Sequence, residues 1–311
     1  MNLIVSEMGK LFDKDRENKR YQQALDSYVE RISKDKHVLT VLLNGSFAYD
    51  QVWHRSDLDM TVIHDDEKQL YQHQCHMESD VVIFTDLFSR EHFLKQTQKS
   101  LQGGIFHHEL FTTKIVYCID DTLREYIDQF RDMGSRDREI QLMFSFSIAT
   151  NALDKAGKMI FVKNNSVYAT YYLTALISEM ARITVLQAGK VPQREIILQA
   201  LPLKPEFFKK NYLDVIMYEI TAEILVETLR NIELYMDSIM EDIFKPVLMF
   251  LKNEGEPRSY SELWEKFIRR RSIWINFNFL ADKGLLSRTL VPIHLTSKSR
   301  TTMYEPAFFY E

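Results

Sequence analysis

An apolar run, Val38 to Leu43, ends at Gly45-Ser46, and ten residues later Asp57-Leu58-Asp59 opens a second apolar run, Met60 to Ile63. This order constrains the chain more than any other feature in it. Short apolar runs bounded by turn residues read as strands, with a tight Gly-Ser turn after the first. Side chains on a strand alternate faces, so Asp57 and Asp59 are expected to point the same way while Leu58 enters the core. Two carboxylates a few ångströms apart repel unless a cation lies between them, and hard oxygen ligands favour Mg²⁺.

The segments around this stretch interleave helix and strand. Tyr21, Ala24, Leu25, Tyr28, Val29 and Ile32 recur at three- and four-residue steps, which predicts an amphipathic helix over about 13–33. After the Asp-x-Asp strand a polar turn and a short helix are expected over 65–73. Strands at 79–84 and 114–119 then flank a helix over 87–98. From Thr122 the strand pattern stops. Long apolar-periodic segments at 136–163, 166–189 and 211–236, broken near Pro192 and Pro202 to Pro205, predict an antiparallel helical bundle. Beyond residue 237 come three short helical pieces, 239–252, 262–270 and 272–283, with Gly284 as a C-cap. Two β-like pieces, 285–295 and 301–309, close the chain in the order of a winged helix-turn-helix. The fold class expected is α+β, in three domains: 1–120 with a mixed sheet, 121–236 all-helical, and 237–311 winged helix.

Composition narrows the function classes. The net charge of −5 excludes a protein that coats nucleic acid along its whole surface. Residues 241–300 hold eleven Lys/Arg against seven Asp/Glu, a local +4 that leaves −9 elsewhere. Cys75 and Cys118 show no paired spacing, apolar runs fall well short of the ~20 residues of a membrane helix, and the N-terminus turns charged early. A cytoplasmic location is expected.

Gly45-Ser46, ten residues, Asp57-Leu58-Asp59 on a strand, and a further acid, Asp80, heading VVIF together resemble the signature of the DNA polymerase β-like nucleotidyltransferase superfamily. Over about residues 15–120 the chain closely resembles the form seen in the kanamycin-type antibiotic nucleotidyltransferases. The three-part layout is similar to a bacterial family of nucleotidyltransferase-like proteins carrying a helical domain and a winged helix. The resemblance implies transfer of a nucleoside monophosphate from a nucleoside triphosphate to a hydroxyl, with two Mg²⁺ ions held by Asp57, Asp59 and Asp80. It also implies that Asp80 helps deprotonate the hydroxyl, that Gly45 and Ser46 cradle the phosphates, and that Arg55 neutralises them. The helical domain would supply acceptor contacts. The acceptor itself is not specified by the sequence.

Other candidates are weaker. His73, Cys75 and His76 lack a fourth ligand at zinc spacing, and His107-His108-Glu109 suits a loop. Glu179 and Arg182 read as a surface i,i+3 ion pair, and the resemblance also offers Glu179 as a base. No His follows Arg182 closely, unlike the HEPN-type ribonucleases. Arg269-Arg270-Arg271 suit phosphate contacts, with Asn276 and Asn278 free to reach base edges and Trp274, Phe277 and Leu280 in the core. The alternative function is therefore a DNA-binding regulator whose nucleotidyltransferase-like domain only senses nucleotide.

Overall fold

The structure, a computed structural model, describes residues 13–68, 71–100, 112–129, 134–217, 220–269, 274–296 and 298–310. The chain forms two compact units, 1–133 and 134–311.

In the first unit, α1 (Lys14–Ile32) starts at an Asp13 cap that accepts from Arg16 N. A five-stranded sheet follows: β1 (Val38–Asn44), β2 (Leu58–His64), β3 (Tyr71–Glu78), β4 (Val81–Ser89) and β5 (Lys114–Cys118). Its order is β3-β4-β2-β1-β5. The sheet is mixed, as expected: β2 and β4 run parallel and the other pairs antiparallel. A one-turn helix, α2 (Gly45–Ala48), separates β1 from the connector to β2. The periodic residues Tyr21, Ala24, Leu25 and Tyr28 of α1 bury against Val41, Leu43, Leu58, Met60, Val62 and Ile83. On the opposite face Leu42, Ile63 and Phe88 pack with Phe93 of α3 (Arg90–Ser100) and with Leu123 and Ile127 of α4 (Asp121–Asp128). Each such buried side chain contributes about 1.5–3 kcal/mol.

Two corrections fall in this sheet. The short helix expected over 65–73 is absent from its described residues, and Tyr71–Glu78 instead forms an edge strand paired along β4. Its polar residues alternate on both faces, because an edge strand leaves much of its side-chain surface to solvent and loses the apolar signal. The strand expected to start at Ser79 begins at Val81: Ser79 (φ +48°) and Asp80 (φ +63°) form the two-residue turn between β3 and β4.

The second unit opens with a helical hairpin, α5 (Ser135–Phe161) and α6 (Ser166–Gln187). Short helices α7 (Ile196–Ala200), α8 (Pro205–Phe208) and α9 (Asp214–Met217) lead to α10 (Ala222–Glu254). Thr221 caps α10, accepting from Ile224 N, and Gly255 at φ +68° ends it in a left-handed C-cap. Helix α10 thus passes unbroken through residue 236, where a domain boundary was expected. Its buried stripe, from Leu225 and Leu229 through Met236 and Met240 to Val247 and Leu251, continues across that point. Pro246 lies inside it.

After α10 come β6 (Arg258–Ser259), α11 (Tyr260–Leu263), a wider helical turn at Trp264–Arg269, and α12 (Phe277–Asp282). The antiparallel strands β7 (Ser287–His294) and β8 (Thr302–Phe309) complete a three-stranded sheet of order β6-β8-β7. Both carry a proline, Pro292 in β7 and Pro306 in β8. This end shares one core with the bundle. Phe146 of α5 meets Phe244 of α10 at 5.3 Å and Phe279 of α12 at 6.3 Å, and Phe277 meets Phe308 at 5.8 Å.

Candidate functional site

Asn44, the last residue of β1, pairs in register with Asp59, so the turn at Gly45 lies level with the Asp-x-Asp strand. Gly45 has φ +70°, a left-handed conformation that places α2 sharply off the strand. A Cβ there would overlap the Asp59 carboxylate, since the Cα packs directly on that side chain. The Gly-Ser turn and the acidic strand are therefore one structure. Leu58 is fully buried, Asp59 is half-buried on the opposite face, as strand alternation requires, and Asp57 is half-buried in the connector just before the strand.

The connector reaching Asp57 is held by α1. The Tyr21 hydroxyl lies 2.5 Å from Ser56 O and 3.1 Å from Trp53 O, and Arg20 donates to His54 O at 3.2 Å. Burial pushes the Tyr21 hydroxyl above its ordinary range. Arg20 opposes that shift, and Glu17 and Asp57 add to it. The hydroxyl therefore stays a donor at neutral pH. Sequence reasoning placed Tyr21 only in the core, since a 3.6-residue periodicity carries no sign of where a phenol points.

Asp57 has no hydrogen-bond or ion-pair partner among the described residues, and Arg55, exposed in the connector, has none either. The Ser46 carbonyl accepts from Tyr49 N and Gln51 N. Asp80 is not brought to this pair. Phe84 is the residue of β4 beside Asp59, and Asp80 lies four positions before it, about 13 Å along the strand, exposed in the hairpin turn. The acid on β4 that shares the face of Asp59 is Asp86, opposite Thr61 and two positions beyond Phe84. It is engaged by His73 Nδ1 at 2.8 Å and by the Tyr71 hydroxyl at 3.0 Å. Among the described residues no three His, Cys, Asp or Glu side chains converge to hold a metal ion. Within QHQCHM, strand alternation sends His73 and Cys75 to one face and His76 to the other.

The crystal structure of a nucleotidyltransferase-like protein from Exiguobacterium sibiricum superposes with a TM-score of 0.63. The match covers 93% of this chain and 99% of that one at 16% identity. The fold is nucleotidyltransferase-like. No family model matches the sequence, and no curated protein matches it either.

In the second unit, Glu179 on α6 is not the surface residue expected. It is largely buried, 3.7 Å from Arg182 Nε, with one carboxylate oxygen lacking a hydrogen-bond partner. Burial pushes its pKa up, against the opposing effects of Arg182 and the nearby Ser145 hydroxyl. Near the C-terminus, Arg269 pairs with Glu265 at 2.7 Å, while Arg270 and Arg271 lie outside the described residues, as do His107, His108 and Glu109. Asn276 is not free for bases: its side chain caps α12, accepting from Phe279 N at 3.1 Å. Asn278 accepts from Arg288 at 3.1 Å. Phe277 and Leu280 are buried, but Trp274 is exposed rather than core. Among the described residues no helix is long and apolar enough to cross a membrane.

Proposed function

We propose that this chain is a nucleotidyltransferase, moving a nucleoside monophosphate from a nucleoside triphosphate to the hydroxyl of an acceptor. The observation that carries the reading is the packing of Gly45 on the Asp59 carboxylate, which sets the Gly-Ser turn directly beside the acidic end of β2. Asp57 and Asp59 are hard oxygen donors, half-buried and reachable, and would hold a Mg²⁺ ion whose remaining ligands come from water and the triphosphate. The ion supplies charge neutralisation at the phosphates. Gly45 and Ser46 present backbone N–H groups of the first helical turn, which lack intrahelical acceptors, and the Ser46 hydroxyl adds a donor. Arg55, unpaired in the connector, would neutralise the outer phosphates.

With Asp80 in the hairpin turn, the general base is sought elsewhere in the first unit, and Asp86, on the face of Asp59, is the carboxylate with the clearest chemical case. A second ion, if used, would be held chiefly by the triphosphate.

The test is incubation with each labelled triphosphate, Mg²⁺ and candidate acceptors. Wild type should transfer label and Asp59→Asn should give only background; equal signals from both would sink the reading.

A second reading has its own observation. The order α10, β6, α11, α12, β7, β8, with β6 paired to β8, is compatible with a winged helix, and a winged helix there would favour a nucleic-acid partner at the C-terminus. On this reading the chain is a DNA-binding regulator. A gel shift on its own upstream DNA should be salt-steep and lost in an Arg269/Arg270/Arg271→Ala variant. Binding that ignores the variant would remove the regulator.

A further inference from the structure

The α1 side of the first sheet encloses more than core. Between the C-terminal half of α1 and strands β2, β3 and β4 lies a cavity of about 910 Å³. Pockets of roughly 300–1,000 Å³ hold ligands of drug or nucleoside size. Ile32, Val38, Val62 and Leu87 give it an apolar floor. It is distinct from the acidic pair: His64 in its wall falls on the face of Leu58, Met60 and Val62, opposite to that of Asp59.

His64 is the informative group. It is 6% exposed, and its Nδ1 accepts from Asp66 N at 3.2 Å. That bond puts the ring hydrogen on Nε2, which is buried without a partner. Leaving a buried donor unpaired is costly, and a ligand acceptor would recover that cost. Burial also holds the His64 pKa below its usual value despite the acids nearby, which keeps the ring neutral at neutral pH.

The charges lining the cavity select the ligand further. Asp35, Asp66 and Glu67 are joined there by Asp65, which pairs with His37, and by Glu78, which already holds Arg31, so that among the described residues of the lining Lys68 is the remaining cation. Polyphosphates are disfavoured and amino groups favoured. Tyr28 and His76, with ring centroids 5.8 Å apart, add an aromatic wall suited to a flat molecule.

We propose that this cavity binds a planar amino-heterocycle without phosphate. A ring nitrogen or carbonyl takes the His64 Nε2 hydrogen, and the amino group faces the acidic rim.

Calorimetric titration of the full chain with adenosine, cytidine and their 5′-monophosphates tests this, in an Asp57→Asn/Asp59→Asn background that silences the candidate catalytic pair. At least one nucleoside should bind with a dissociation constant below about 1 mM, and its monophosphate at least about tenfold more weakly. His64→Phe should weaken binding about tenfold or more, while His64→Gln, which keeps a donor, should stay within about threefold. Gln74→Trp on the edge strand, filling the cavity from the solvent side, should abolish binding even if His64→Phe folds poorly. The proposal is overturned if neither nucleoside binds, if the monophosphates bind as tightly, or if binding survives Gln74→Trp.

Discussion

Gly45 meets two demands at once, a left-handed backbone and the absence of any side chain against Asp59. Gly45→Ala is expected to destabilise the fold by about 2–4 kcal/mol, from left-handed strain and overlap together, and to abolish Mg²⁺-dependent transfer. Chemical denaturation and the transfer assay would read both losses. Glu179 makes a different prediction. Its folded pKa lies above the unfolded value, so between the two the unfolded chain gives up the proton first. The stability this group contributes is complete below the unfolded pKa, near 4.3, and is lost as pH rises through the raised folded value. Glu179→Gln should therefore melt higher than wild type at neutral and alkaline pH, by about 2–4 °C for each kcal/mol relieved, and the two should converge near pH ~4. Scanning calorimetry across pH would show a parallel offset instead if burial did not set the titration.

At the scale of elements, the β3–β4 hairpin decides the fate of Asp80. Both turn residues have positive φ, the geometry for which glycine or asparagine is best suited. Asp80→Gly should stabilise the fold by about 0.5 kcal/mol and leave transfer unchanged, whereas a metal ligand at this position would lose activity. A melting curve beside the transfer assay separates the two. The same hairpin shows where sequence reading stops. The turn at Gly45 and the place of Asp59 opposite Leu58 were legible because spacing and strand parity are local properties. Asp86 was recognisable as an acid, but its place on the face of Asp59 follows from the parallel register of β2 and β4, which leaves no local trace. Ser79-Asp80 is not a common turn pair, so the apolar run after it read as a strand headed by an acid. Strand β3 was hidden for the related reason that an edge strand need not be apolar. The long helices of the second unit were visible in their period, but the continuity of α10 was not: the period read as one helix ending at 236 and another starting at 239, although the buried stripe runs across that point.

For the whole molecule, the compact units meet in sequence at 133 and 134, and the second has a single core from Ile140 to Phe308. Chains 1–133 and 134–311 expressed separately should each give a cooperative thermal transition by circular dichroism. Chains 134–236 and 237–311 should not, because that cut divides α10 and parts Phe146 from Phe244. Cooperative melting of either shorter piece would show that its core is self-sufficient. The prolines of the C-terminal sheet bear on how copies of the chain behave together. Strand β6 covers only the last part of β8, pairing at Ala307 and Phe308, and β7 forms the opposite edge. A strand from another chain docking along β7 would find no amide hydrogen at Pro292, and one extending past β6 would find none at Pro306. The hairpin can therefore project an eight-residue edge into a crowded solution without offering a continuous template for self-association.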